Sequence, residues 1–180
     1  MTRFVALIRG INVGRAKRVA MADLRRTIEK LGYRDVATAL NSGNVIFSAA
    51  VRTGASAARR IESAIASELG FDVRVAVLSG PDLHAVIREN ALSQADTEPS
   101  RFFVCVFADP DCGSLLKPLT RKDWTPEMLG VGRRAAYLWC PNGSAHSPLN
   151  AAVNGLIGRQ ATSRNWATMK RLEELVLADA

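Results

Sequence analysis

Two short polar runs combine residue types that could hold a ligand. Arg9-Gly10-Ile11-Asn12 follows an apolar stretch, Phe4 to Ile8, and Asn41-Ser42-Gly43-Asn44 separates two further apolar stretches. Between them they offer a guanidinium fork, three side-chain amides, a hydroxyl and backbone N–H groups freed by glycine, which together suit an anion or a planar polar group. A third run, Thr162-Ser163-Arg164-Asn165-Trp166, lies near the C-terminus. The candidate ligand-binding set is therefore Arg9, Asn12, Asn41, Ser42, Asn44, Arg164 and Asn165, with Arg164 closing over it. The plainer alternative is that the asparagines brace tight turns and Arg9 pairs with a carbonyl or carboxylate.

Arg164 has its own rationale. Thr162 or Ser163 is expected to cap a final helix whose buried stripe is Trp166, Met169, Leu172 and Val176. A cation at that helix start opposes the macrodipole, so Arg164 reaches a carboxylate or helps hold an anion. Catalytic patterns are missing: the chain has no phosphate-loop lysine motif, no dinucleotide glycine fingerprint and no serine nucleophile elbow. His84 and His146 are far apart, and Asp109 and Asp111 flank Pro110 as turn residues do. Cys105, Cys112 and Cys140 have no metal-ligand spacing. No metal or cofactor is expected, no catalytic residue can be named, and whether the protein is an enzyme stays open.

The elements that must position these runs follow from periodicity. Phe4 to Ile8 reads as a buried strand, Met21, Leu24, Ile28 and Leu31 recur at helical spacing, and Gly32 ends that helix. Val36 to Leu40 and Val45 to Phe47 are strands joined by the Asn-Ser-Gly-Asn turn. A helix from Ala55 to Leu69 and a strand from Val73 to Leu78 complete a βαββαβ, ferredoxin-like order. That topology brings the end of the first strand beside the turn between the second and third, so the first two polar runs should meet.

Gly80-Pro81 marks the expected boundary between a basic N-terminal subdomain, 1–79, and a second ferredoxin-like subdomain, 80–180, with added helices. In the second half, Phe102 to Phe107 is a strand, Met128 to Cys140 a hairpin, and Gln160 to Thr162 an edge strand. Ser147-Pro148 opens a helix carrying Leu149, Val153, Leu156 and Ile157 on one face. The fold class is α+β.

Charge is unevenly placed. The chain has 180 residues with 24 Lys+Arg against 17 Asp+Glu, a net +7. Residues 1–80 hold 13 cations against 6 carboxylates, and residues 81–180 hold 11 of each, so the whole excess lies in the first half. This favours an anionic small molecule such as a nucleotide or phosphorylated metabolite, with solubility as the plain alternative. A second reading is nucleic-acid binding along Arg15, Lys17, Arg18, Arg25, Arg26, Arg59 and Arg60. The stacking platform of RNA-recognition modules is not expected, because only Phe4 and Phe47 are available, in strands that read as covered.

Hydrophobic content of 48% excludes a disordered polyelectrolyte. No stretch reaches the roughly 20 apolar residues of a membrane span, and an odd number of cysteines suits reduced thiols in the cytoplasm. The first strand does not alternate apolar and polar residues, so its second face should be covered by the other subdomain or by a homodimer partner.

Arg9 to Gly14, Val19, Met21, Leu24, Leu31-Gly32, Ser42 to Phe47 and Thr162 to Trp166 with Thr168 resemble the bacterial family catalogued as domain of unknown function 1697. The resemblance implies two α+β subdomains of ferredoxin-like type and no established activity. Two positions depart from the family pattern: Arg15 stands for a second glycine, and Ser147-Pro148 for a Ser-Lys pair, while Arg18 keeps a cation at the other basic position.

Overall fold

The computed structural model describes residues 1–12, 18–40, 42–51 and 53–178. It is a mixed α+β chain with two four-stranded antiparallel sheets. Two compact units divide it: Met1–Leu83 together with Leu172–Ala180, and His84–Arg171.

The first unit runs β1 (Thr2–Ile8), α1 (Met21–Glu29), β2 (Arg34–Ala39), β3 (Asn44–Ala49), α2 (Gly54–Leu69) and β4 (Val75–Ser79). Its strands lie in the order β2-β3-β1-β4, every neighbour antiparallel. Leu24, Thr27 and Ile28 of α1 and Ala57, Ala58, Ile61 and Ile65 of α2 are buried, as the 3.6-residue period requires. The Thr53 hydroxyl accepts the Ser56 N–H at the start of α2, and Gly70 ends that helix at φ 76°. Phe4, Ala6 and Ile8 join this helix-side core, and rings of Phe4, Phe47 and Tyr33 stack in series with centroids 5.6 and 4.7 Å apart. Val5 and Leu7, which alternate with them, are fully buried too. The unbroken apolar pattern of β1 thus matches burial on both faces.

The second unit contains β5 (Phe102–Phe107), a 3₁₀ helix (Pro110–Leu116), β6 (Met128–Val131), β7 (Ala135–Trp139), α5 (Pro148–Ile157) and β8 (Ala161–Asn165). Its sheet order is β6-β7-β5-β8, so both sheets place their strands as second, third, first, fourth. Two helices, α3 (Gly80–Arg88) and α4 (Gln94–Thr97), precede β5, and α6 (Trp166–Leu177) follows β8; α3 and α6 both contain a unit boundary. Cys105, Cys112, Leu116, Leu138, Leu149, Val153 and Ile157 share one core.

Three local expectations change here. The edge strand β8 continues to Asn165, past the anticipated end at Thr162, because it pairs with β5 along its whole length. Thr162 and Ser163 are consequently strand residues, and Asn165 caps α6, its Oδ1 accepting the Thr168 N–H at 2.9 Å. Leu156 is 44% exposed and lies off the buried stripe of α5. Among the described residues, no helix is long and apolar enough to cross a membrane.

Candidate functional site

The two N-terminal polar runs meet at the end of the first sheet. β1 and β3 pair in a register that sets Leu7 opposite Asn44, and one residue further the Ile8 N–H donates to the Gly43 carbonyl at 2.8 Å. Gly43 lies so close to the buried Ile11 that an added Cβ would sit 2.7 Å from the Ile11 Cγ1 and 3.0 Å from the Ile8 carbonyl. Its φ of 73° is also in the left-handed region. Glycine is therefore required at this junction twice over, by space and by backbone.

The asparagines act on the backbone. Asn12, at φ 55°, donates its amide to the Val19 carbonyl at 3.1 Å and accepts the Val19 N–H at 2.9 Å. Its side chain thus ties the end of the chain leaving β1 to Val19, the neighbour of the exposed Arg18. Asn44 is fully buried and donates to the Ala39 carbonyl at 3.1 Å and to the Ser42 hydroxyl at 3.0 Å. It holds the β2–β3 turn shut from beneath. Asn41, Arg15 and Lys17 lie outside the described residues.

Arg9 is half-buried at the C-terminal end of β1, beside the exposed Gly10 and the exposed Ser42. Its N–H donates to the Arg74 carbonyl at 2.9 Å. Sequence reasoning missed Arg74. The signal was available, since antiparallel β1 and β4 place the start of one beside the end of the other, but it needed the sheet order to be read. The Arg74 guanidinium, about half exposed, lies 3.6 Å from Glu62, whose other oxygen accepts the Val75 N–H at 2.8 Å.

Arg164 and Asn165 belong to the second unit. Arg164 donates to the Thr162 hydroxyl at 3.0 Å and to the Ser163 carbonyl at 2.7 Å, and burial pushes its pKa down to about 10. Trp166 packs edge-on against Phe102 and donates its indole N–H to Asp96.

The alternative basic surface is more neutral than its arginines suggest. Arg25 pairs with Glu29 at 2.7 Å and Arg26 with Asp23 at 3.3 Å. Arg60 donates to the Leu31 carbonyl at 2.9 Å and lies over the Tyr33 ring. Exposed Arg59 lines an open groove with Lys30 and Arg60, while Lys30 is bound to Glu68 at 2.9 Å. That lysine holds the Glu68 carboxyl below its ordinary range, helped by Thr27.

Cys105, Cys112 and Cys140 are all buried and unbridged. Asp109 accepts the Asp111 N–H and so serves the start of the 3₁₀ helix, as its turn context suggests. No group of three or more His, Cys, Asp or Glu that could hold a metal ion occurs among the described residues.

A two-unit α+β chain with this polar junction at the end of its first sheet is the class of protein the geometry defines. More particularly, the chain belongs to the family described as protein of unknown function (DUF1697), whose model matches residues 1–137. The Thr162 to Trp166 run lies beyond the matched residues. A solved structure of a conserved bacterial protein from Streptococcus pneumoniae has the same fold: its TM-score is 0.80 at 23% identity, covering 97% of this chain and 98% of that one. A search of curated proteins finds no match.

Proposed function

We propose that the protein binds an anionic small molecule, a nucleotide or phosphorylated metabolite, at the end of the first sheet. One observation carries this reading: the location of the charge excess. Helix α1 holds Arg25 and Arg26 against Asp23 and Glu29, and α2 holds Arg59 and Arg60 against Glu62 and Glu68, so the two helices sum to zero. The segment that leaves the end of β1 contains Arg9, Arg15, Lys17 and Arg18 with no carboxylate before Asp23. The sequence that follows β1 is therefore the most basic stretch of residues 1–80.

In this reading Arg9, Arg18, Ser42 and the backbone at Gly10 face the anion, while Asn12 and Asn44 position them. A guanidinium presents five N–H donors in a fixed fork, the geometry that a phosphate oxygen set accepts. Each unit follows the ferredoxin-like plan, a reading supported by the second-third-first-fourth strand order of both sheets. Three buried cysteines without a disulfide accord with the reducing cytoplasm.

Nucleic-acid binding along Arg18, Arg25, Arg26, Arg59 and Arg60 has one point in its favour, the groove that gathers Lys30, Arg59 and Arg60. Local carboxylates offset it, and the Phe4 and Phe47 rings lie within the core where no base can stack. Calorimetric titration with nucleotides and phosphorylated metabolites separates the readings. A ligand held at the sheet end is weakened about tenfold or more by Arg9→Ala, the loss of one charge-assisted contact. Unchanged affinity would remove the site from Arg9, and strongly salt-dependent oligonucleotide binding would favour the helix face.

A further inference from the structure

We infer that Arg74 is a second anion-binding residue at this site and that Glu62 holds it in reserve by competing for its guanidinium; the inference rests on the sheet-end reading above. The β1–β4 register sets Ile8 opposite Val75, and the Arg9 N–H to Arg74 carbonyl bond extends it by one residue. Arg9 and Arg74 are therefore cross-strand partners. Like charges directly opposite one another destabilise a sheet, so the pairing calls for a reason.

Backbone closure is not that reason. The second sheet makes the same joint: the Phe107 N–H donates to the Arg134 carbonyl at 2.9 Å and the Ala108 N–H to the Gln160 carbonyl at 2.8 Å. With Phe107 opposite Ala161 as Ile8 is opposite Val75, Ala108 and Gln160 stand where Arg9 and Arg74 stand. An alanine and a neutral amide close that end with the same hydrogen bond. The arginine pair adds two positive charges that the fold does not require.

Glu62 supplies the other half of the device. One carboxylate oxygen is fixed on the Val75 N–H at 2.8 Å, and the second lies 3.6 Å from the Arg74 guanidinium, longer than a good charge-assisted bond. The Arg74 side chain is 54% exposed, and ion pairs that open to water are weak. An arriving anion can therefore draw Arg74 from Glu62 at little cost. Two arginines at paired positions, one just after β1 and one just before β4, suit a group with at least two negative charges, a phosphomonoester or a diphosphate.

The test is calorimetric titration of inorganic pyrophosphate into the full chain and three variants, with melting temperature followed in parallel. Arg74→Gln should weaken binding about tenfold. Glu62→Gln keeps an oxygen for the Val75 N–H and should strengthen binding about twofold to fivefold. Opposite signs from two adjacent substitutions are not expected of a merely structural pair. If Arg9→Ala weakens binding while Arg74→Gln and Glu62→Gln leave it unchanged, this inference falls and the sheet-end reading stands. If Glu62→Gln weakens binding, the carboxylate is a brace and the competition is refuted. Should wild type not bind pyrophosphate, or Arg9→Ala have no effect, the sheet-end reading itself is overturned.

Discussion

The ends of the two sheets share a backbone and differ in chemistry. In both, the last residue of the first strand donates to the hairpin and the next residue donates to the start of the fourth strand. The first unit lines this joint with Arg9, Gly43 and Arg74, the second with Ala108, Arg134 and Gln160. After the joint, the first chain path is clasped by Asn12 onto Val19, whereas the second turns at once into the 3₁₀ helix under Asp109. The second unit acts as an internal control. What recurs in both sheets serves the fold, and what the first has alone is where function should be sought.

The largest expected effect comes from erasing this difference. Changing Arg9→Ala and Arg74→Gln together gives these two positions the side chains that Ala108 and Gln160 carry in the second sheet, with Gly43 left in place of Arg134. Two charge-assisted contacts of about 1.5–3 kcal/mol each then disappear, and pyrophosphate affinity should fall at least about 100-fold in calorimetry while the melting temperature is kept. A loss of folding would show instead that the arginines are structural.

Next is Gly43→Ala. Its Cβ would collide with Ile11 and its φ would become strained, so a destabilisation of about 2–4 kcal/mol is expected in urea denaturation. The equivalent residue of the second unit is Arg134, which is not among the positive-φ residues. The glycine requirement therefore belongs to the Ile11 contact and not to the shared joint. Asn44→Ala removes a buried amide that bonds Ala39 and Ser42, and should cost about 1–3 kcal/mol by the same measurement.

The smallest effect is in alkaline solution and belongs to the second unit, which holds all three cysteines. Burial pushes the Cys112 and Cys140 thiols above their ordinary 9.0, with Asp109 adding to the first and Glu127 to the second; the Ser147 bond opposes it at Cys140. Burial and Glu89 raise Tyr137 as well. A folded-state pKa that is raised contributes stability in full below the unfolded value and loses it as pH rises through the folded one. Stability should hold from neutral pH to about 9 and decline beyond. The fluorescence of Trp124, Trp139 and Trp166, all in the second unit, follows it. A decline beginning below pH 8 would contradict this.

Much of the fold was legible because local signals agreed with one another. Phe4 to Ile8 had to be a buried strand, Ser147-Pro148 had to open a helix, and Asn-Ser-Gly-Asn had to turn a hairpin. Topology then predicted that the two polar runs meet, as Gly43 against Ile11 demonstrates. The roles of the asparagines were less legible, since an amide that binds a ligand and one that clasps a backbone have the same sequence signature. Arg74 was missed for a different reason: nothing adjacent to it in sequence marks it, and strand pairing is what brings it to Arg9. The return of Leu172–Ala180 to the first unit is a long-range packing outcome that no local period encodes.

The most direct test of the account is to map amide chemical shifts by two-dimensional NMR while titrating pyrophosphate into the protein. The expected perturbations fall on Arg9, Gly10, Ser42, Gly43 and Arg74, with Ala108, Arg134 and Gln160 unmoved. Shifts centred on Arg59 and Arg60, or of equal size at both sheet ends, would contradict it.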